Sequence, residues 1–300
     1  MNYDIVIIGC GVSGMTAAIY ALRSDKSVLI LEKESIGGAI ASSPKIENYP
    51  GYQKISGAEL ADNLYEQVIS LGGVIELEEV TEIKVGNEKE VITTDNIYTC
   101  KAIIIATGSK YRLLGLPNEI DLIGNGVHFC VSCDGAFYKD KIVGVIGGGN
   151  TAITNALTLS EICKKVYIIQ NLSDLTGEKL LKEKLKEKKN IEIYYESTVK
   201  ELKKDDELKG ITIDYKGKNK EIKLDGIFVS IGQVPETNFI KNIINLNEYN
   251  YVLSDSECKT NIKGVFVSGD VRDKKVRQLT TATNDGTISA IEAVNYIDSL

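Results

Sequence analysis

The chain is short of the residues that build metal centres and extracellular scaffolds. Across 300 residues it has one histidine, His128, and six cysteines, of which Cys10, Cys100, Cys163 and Cys258 each stand alone. A structural zinc site takes roughly four protein ligands, so no metal is expected. Six cysteines with a single close pair do not make the framework of a small secreted domain either. No run reaches the roughly 18 apolar residues of a membrane span. Nor does Met1-Asn2-Tyr3-Asp4 supply the basic n-region of a secretory leader. These absences predict a cytoplasmic protein with no membrane partner. Positive charge is also in deficit: 35 Lys and Arg face 42 Asp and Glu, a net charge of −7, which argues against nucleic acid as the main partner. There is no low-complexity segment. The lysine-rich run at 179–189 has leucines at helical spacing and reads as a solvated amphipathic helix.

What is present is the composition of a soluble globular protein, 43% hydrophobic and 26% charged, in a length that suits about two domains. One stretch organises the rest: Cys130-Val131-Ser132-Cys133-Asp134-Gly135. Two cysteines two residues apart can close into a small reducible disulfide, and an acid directly after them can move the protons. The same spacing serves zinc, but too few further ligands are on offer. Dithiol redox chemistry is therefore the favoured reading, with an inert buried pair as the bland alternative. Asp134 before Gly135 is also a common turn dipeptide. His128, two residues before Cys130, is read as a packing or surface residue outside the catalytic set, and Cys10 as a small packing residue.

Glycine loops frame that stretch. Residues 4–8 (DIVII) form a β-branched run of the kind that makes buried parallel strands. Gly9-Cys10-Gly11-Val12-Ser13-Gly14 follows at once and opens a helix at 15–22, and a second strand at 27–31 ends on Glu32. Strand, Gly-x-Gly-x-x-Gly, helix, strand and acid in that order are the dinucleotide fingerprint: the backbone turns sharply, meets a pyrophosphate at a helix N-terminus, and offers the acid to a ribose. A further strand at 102–105 ends in Ala106-Thr107-Gly108, and 264–268 repeats the design before Gly269-Asp270. A second motif, Gly147-Gly148-Gly149-Asn150-Thr151-Ala152, sits between a strand at 141–146 and a helix at 153–163. A strand at 226–231 leads to Gly232-Gln233-Val234-Pro235-Glu236-Thr237, and a last helix is expected at 281–298.

Together these motifs resemble the two-dinucleotide-binding flavoproteins and, within them, the low-molecular-weight thioredoxin reductases. The resemblance covers essentially the whole chain, and the stretch Glu47-Asn48-Tyr49-Pro50-Gly51 and the pair Arg277-Gln278 are more specific to it than the glycines. It implies an α/β fold of two Rossmann-like dinucleotide-binding domains, the FAD domain split by a smaller central dithiol domain: 1–113 and 237–300 around 114–236. It implies FAD as cofactor. Gly9, Gly11, Val12, Ser13, Gly14, Glu32 and Lys33 would hold its adenosine and pyrophosphate, with Val80 near the adenine. Gly38, Ala39, Ile40 and Asn48 would lie around the isoalloxazine, and Ala106, Thr107, Gly108, Gly269, Asp270, Arg277 and Gln278 would complete the site. Ala39 stands where the family has glutamine, a departure that bears on one flavin-side hydrogen bond. By the same resemblance Cys133 faces the flavin, Cys130 attacks the disulfide of thioredoxin, and Asp134 is the acid–base. The central domain would rotate between the two tasks, and the protein would be a homodimer.

The pattern breaks at the second nucleotide site. The NADPH-dependent family ends the strand after the second glycine motif in His-Arg-Arg-x-x-x-Arg. Here Gln170 stands for the histidine, and Asn171, Leu172 and Thr176 for the arginines. Guanidinium forks are what grip a dianionic phosphate, and none remains. The chain is similar in this respect to the ferredoxin-dependent flavin thioredoxin reductases of clostridia, so ferredoxin is the expected electron donor. Arg272, Lys274, Lys275 and Arg277 form a candidate patch for an acidic ferredoxin, with a solvated loop as the plainer alternative. The competing readings are an NADPH- or NADH-dependent thioredoxin reductase, a reductase for another protein disulfide, and a flavin-binding redox sensor without turnover.

Overall fold

Alternation along the strand Asn2–Ile8 sets up the first core. Ile5 and Ile7 point into one apolar cluster with Met15, Ala17 and Ala290, while Val6 and Ile8 point into another with Ile103, Ile105 and Val252. Successive side chains of a strand face opposite ways, so a strand covered on both faces must be apolar at every position. This is why the DIVII run is continuous.

The computed structural model describes residues 1–41, 43–86 and 88–300, and the described chain divides into two units, Met1–Lys110 with Val234–Leu300, and Tyr111–Gln233. In the first unit Asn2–Ile8 is flanked in parallel by Val28–Glu32 and Ile97–Ile105, with Val74–Leu77 beyond Val28–Glu32. Ile97–Ile105 changes partners along its length. Its first residues pair antiparallel with Lys89–Thr93, which carries Val80–Lys84 at its far edge, and Ile103, Ile104 and Ile105 pair in parallel with Val265–Val267. That last pairing brings the C-terminal segment back into the first sheet. The helices Val12–Leu22 and Leu279–Asp298 then cross closely: a Cβ on Gly286 would lie 2.5 Å from the Ser13 carbonyl oxygen and 2.9 Å from Thr16 Cβ.

The second unit has a parallel sheet in the order Ile191–Tyr194, Lys165–Ile169, Ile142–Ile146, Gly226–Val229, Val127–His128. The helix Asn150–Ser160 covers one face through Ala152, Ile153, Ala156 and Leu159. An antiparallel sheet of Ser197–Lys204, Leu208–Tyr215 and Lys218–Lys223 supplies Leu202 and Ile211 to the apolar cluster on the other face. Both sheets are Rossmann-like, as expected. Element ends moved slightly. The helix after the second glycine motif starts at Asn150, three residues before the expected 153, because Gly149 is its N-cap and the motif's last residues form its first turn. The lysine-rich segment is a helix over Lys179–Lys186 with Leu185 turned inward. Among the described residues no helix is long and apolar enough to cross a membrane.

Candidate active site

The dithiol sits on a short, tightly held turn. Cys130 caps the single-turn helix Val131–Asp134 with an extended backbone, and the Asp134 amide donates to the Cys130 carbonyl at 3.0 Å. Val131 anchors the turn in the apolar cluster containing Leu159 and Tyr138. Gly135 lets it close, since a Cβ there would lie 3.1 Å from Val131 Cγ1 and 3.4 Å from Leu159 Cδ2. With Val131 buried, Ser132 and Cys133 are left exposed. Cys130 and Cys133 are joined as a disulfide, their Cα atoms 5.3 Å apart, and Ser132 Oγ lies 3.3 Å from Cys130 Sγ.

Asp134 has a partner that sequence reasoning set aside. Its Oδ2 is 3.1 Å from His128 Nδ1, and His128 Nε2 is 2.7 Å from Tyr138 Oη. His128 is 6% exposed and stacked on Phe228, its neighbour across the sheet, with ring centroids 5.3 Å apart. Burial, with the nearby Asp134 carboxylate adding to it, pushes the Tyr138 hydroxyl far above its ordinary range, so it remains a donor. The available signal was that the chain's one histidine precedes the first cysteine by two residues. The four single cysteines are different: burial pushes Cys10, Cys100 and Cys258 up to about 12 and Cys163 to about 11, which keeps them protonated and inert.

In the first unit Glu32, Gly38, Ala106 and Gly269 gather around the first glycine loop. Gly9 has φ +109° and lies so close to the next strand that a Cβ would be 2.4 Å from the Ala106 carbonyl oxygen; on Gly14 it would be 2.0 Å from that of Gly9. Gly11 faces open space, with only the Gly37 carbonyl oxygen 4.0 Å from such a Cβ. It caps Val12–Leu22 without a side-chain hydrogen bond, so the amides of that helix N-terminus point into the open edge. The second loop folds onto the first. The Gly37 amide donates to the Cys10 carbonyl at 2.9 Å, and Gly38, Ala39 and Ile40 form a 3₁₀ turn beside Gly11. Glu32 accepts from the amides of Cys10 and Glu34, both at 2.9 Å, and Lys33 pairs with Glu236 at 2.7 Å. Ser13 Oγ is hydrogen-bonded to Ser268 Oγ, and a Cβ on Gly269 would be 2.9 Å from Ser13 Cβ. Asn48 Nδ2 donates to Gln278 Oε1 at 3.3 Å, and Thr107 Oγ1 to the Glu236 carbonyl at 2.8 Å. Gly108 has open space where a side chain would be. Val80 opens its hairpin strand and packs on the cluster containing Ile83 and Val91.

Asp270 is the informative member of this group. Its Oδ1 is buried and has no hydrogen-bond partner among the described residues, the Lys274 ammonium being 3.5 Å away. Burial raises its carboxyl above the ordinary range, against the opposing pull of Lys274 and Arg277. A buried acceptor without a donor is costly, and a polyol chain offers hydroxyl donors. With the open Gly11 edge, the residues present fit a dinucleotide with a ribityl chain.

The cation patch needs correcting. Arg272 Nη1 pairs with Asp285 at 2.7 Å, and its other nitrogens donate to Ser254 Oγ and the Asp255 carbonyl. Lys274 pairs with Asp285 at 2.9 Å. Arg277 lies over the Tyr251 ring at 4.0 Å and donates to the carbonyls of Asp270 and Arg272. Only Lys275 of the four is exposed. Three of the four cations thus hold the 270–277 loop together, around a buried Asp285 that sequence reasoning missed because it lies in the following helix.

At the second glycine motif, Gln170 is 3% exposed and its amide lies over Gly148, where a Cβ would meet it at 2.4 Å. The loop after it turns back on the motif: Gln170 Nε2 donates to the Asp174 carbonyl at 3.0 Å and the Thr176 amide to the Gly148 carbonyl at 2.8 Å. Asn171, Leu172 and Thr176 are exposed.

Comparison with known proteins agrees with this anatomy. The profile of the family described as Pyridine nucleotide-disulphide oxidoreductase matches residues 3–286. A Clostridium pasteurianum protein described as the 34.2 kDa protein in rubredoxin operon is 42% identical over 298 residues, covering 98% of this chain and 97% of that one. The thioredoxin reductase of Bacillus subtilis is 34% identical, covering 99% and 96%. The crystal structure of thioredoxin reductase from Streptococcus pyogenes has a TM-score of 0.96 at 37% identity, covering 100% and 99%. That of a ferredoxin-flavin thioredoxin reductase from Clostridium acetobutylicum has 0.55 at 27%, covering 100% and 99%. FAD is the cofactor of this family, in keeping with the cradle at Gly11 and Asp270. A profile match along nearly the whole chain, joined to relatives of matching length, makes the chain a member of the pyridine nucleotide-disulphide oxidoreductases, among their low-molecular-weight thioredoxin reductases.

Proposed function

We propose that the protein carries electrons from reduced ferredoxin, through FAD and the Cys130–Cys133 pair, to the disulfide of thioredoxin, without a pyridine nucleotide. The observation that carries the donor half is Gln170, buried over Gly148 where a nucleotide-binding loop would need an open edge, in a loop with no cation from 170 to 178. The likeness to a ferredoxin-flavin thioredoxin reductase supports it. A pyridine-nucleotide donor is the second reading, favoured by the retained glycines: a Cβ on Gly149 would meet nothing nearer than Thr176 Oγ1 at 3.8 Å.

On this reading Gly9, Gly11, Val12, Ser13, Gly14, Glu32 and Lys33 hold the adenosine and pyrophosphate end of FAD, with Val80 at the adenine. Gly38, Ala39, Ile40, Asn48, Ala106, Thr107, Gly108, Gly269, Asp270, Arg277 and Gln278 hold the rest. FAD, when bound, would supply the two electrons that open the Cys130–Cys133 disulfide, and two protons from solvent leave both sulfurs as thiols. The Cys130 thiol then gives its proton to Asp134, and its sulfur attacks one sulfur of the thioredoxin disulfide. That S–S bond breaks, a mixed disulfide forms, and the leaving sulfur takes a proton from Asp134. Cys133 gives its proton to Asp134 and attacks Cys130 Sγ, which closes the enzyme disulfide, and the second thioredoxin sulfur leaves as a thiol with that proton. Two electrons and two protons pass to thioredoxin. A cytoplasmic homodimer completes the reading, on family resemblance, and sedimentation of the holoenzyme checks the oligomeric state.

The test is reduction of thioredoxin by the holoenzyme with reduced ferredoxin as donor, in the native protein and in Cys130→Ser and Cys133→Ser. Turnover should be present in the first and absent in both variants. Turnover that survives in either variant contradicts the route.

A further inference from the structure

Buried histidines are expensive to leave with unsatisfied ring nitrogens, and His128 has neither nitrogen unpaired. The groups packed around it are few. The turn Val131–Asp134 presents the Asp134 carboxylate to Nδ1, the following 3₁₀ turn Gly135–Tyr138 presents the Tyr138 hydroxyl to Nε2, and the strand Gly226–Val229 covers one ring face with Phe228. Behind Tyr138 the nearby charges are Glu207, Asp225 and the Lys141 ammonium, which is 5.2 Å from the ring centroid. A lone pair on Nδ1 would face the Asp134 carboxylate, so the ring proton is placed on Nδ1 and donated to Asp134, and Nε2 of the neutral ring accepts the Tyr138 O–H. The chain Tyr138 O–H to His128 to Asp134 runs in one direction. It has the form of a carboxylate–imidazole pair whose tautomer is set by the carboxylate.

We propose that His128 is the positioning residue of the dithiol's acid–base group: its Nδ1–H aims the Asp134 carboxylate, which holds the proton in transit between sulfurs. The inference rests on the reading of Asp134 as the acid–base. In proton terms, the Cys130 thiol loses its proton to the Asp134 carboxylate, which becomes a carboxylic acid at the oxygen not taken by His128 Nδ1–H, beside a neutral imidazole that keeps its tautomer. The leaving sulfur of thioredoxin then takes that proton, an S–H bond forms, and the pair returns to neutral imidazole and carboxylate. No further reactant is needed.

Because the chain has one histidine, imidazole ¹⁵N resonances of the intact holoenzyme report His128 unambiguously. The Nδ1–H tautomer is the expected result at neutral pH, and the Nε2–H tautomer overturns the proposal without any variant. The functional arm uses pre-reduced holoenzyme, mixed with oxidised thioredoxin across a pH series, for the native protein, His128→Asn and Asp134→Asn. Asparagine is too short to span from the Tyr138 hydroxyl to Asp134, so the aimed donor is lost. His128→Asn should move the inflection of the rate profile by about one pH unit, tenfold in the protonation equilibrium, with flavin absorbance retained. Superimposable profiles for His128→Asn, alongside a slowed Asp134→Asn, sink this inference and leave Asp134 standing. An Asp134→Asn rate equal to the native one sinks both.

Discussion

A carboxylate that neutralises two cations in the interior is costly to lose. Asp285 is 4% exposed and pairs with both Arg272 and Lys274 while accepting from the Gly269 amide at 3.3 Å. Asp285→Ala should lower the unfolding free energy by about 3–5 kcal/mol, because Arg272 loses its carboxylate and Lys274 the nearer of its two. It should also loosen flavin retention, since the Gly269-Asp270 turn loses its tether. Denaturant unfolding together with flavin release on dilution checks this, and a loss below about 1 kcal/mol speaks against the network. Asp4 gives a pH-dependent counterpart. Burial alone would raise its carboxyl, but hydrogen bonds from Lys101 and Ser27 outweigh that and bring it down to about 2 from 3.8. Its stabilisation is therefore complete above about pH 4 and fades as pH falls toward 2. Asp4→Asn should cost about 1–2 kcal/mol at pH 7 after solvent screening. Melts of the two proteins should converge near pH 2. At this scale the sequence was legible where the chemistry is contiguous. Cys130, Cys133 and Asp134 lie side by side, and so do the glycines. The link from Asp134 to His128 joins a strand end to a turn, and Arg272 and Lys274 look like a solvated run until the helix carrying Asp285 folds over them.

Among the elements, the crossing of Val12–Leu22 with Leu279–Asp298 is set by Gly286. Gly286→Ala places a methyl group 2.5 Å from a backbone oxygen that cannot move aside. It should cost about 1–3 kcal/mol as overpacking, seen as a lowered melting temperature of the holoenzyme. An unchanged melting temperature contradicts that account. The loop after Lys165–Ile169 carries the donor question. Since Asn171, Leu172 and Thr176 are exposed, Asn171→Arg, Leu172→Arg and Thr176→Arg together should leave the fold intact. If the missing guanidinium groups are what bars NADPH, the triple variant should bind it at least about tenfold more tightly, roughly 1.4 kcal/mol, by equilibrium titration. No gain means that Gln170 over Gly148 is itself the barrier. Element type was readable from apolar runs and glycine punctuation. The helix starts were not, because a motif written as a loop becomes the first helical turn once its glycine acts as the cap.

For the whole molecule, the return of the chain to its first sheet was readable in outline because 264–270 repeats the strand-and-turn design of 102–108. The partner change along Ile97–Ile105, antiparallel at one end and parallel at the other, was not, because register depends on pairing that no single strand encodes. The proposed entry of electrons from an iron–sulfur protein separates this chain from a nucleotide-dependent reductase. Anaerobic absorbance of the flavin tests it directly, with NADPH, NADH and reduced ferredoxin added in separate experiments. Both nucleotides should leave the flavin band oxidised, while reduced ferredoxin should bleach it and thioredoxin should then become reduced. Bleaching by NADPH or NADH at a rate that sustains thioredoxin turnover would contradict it.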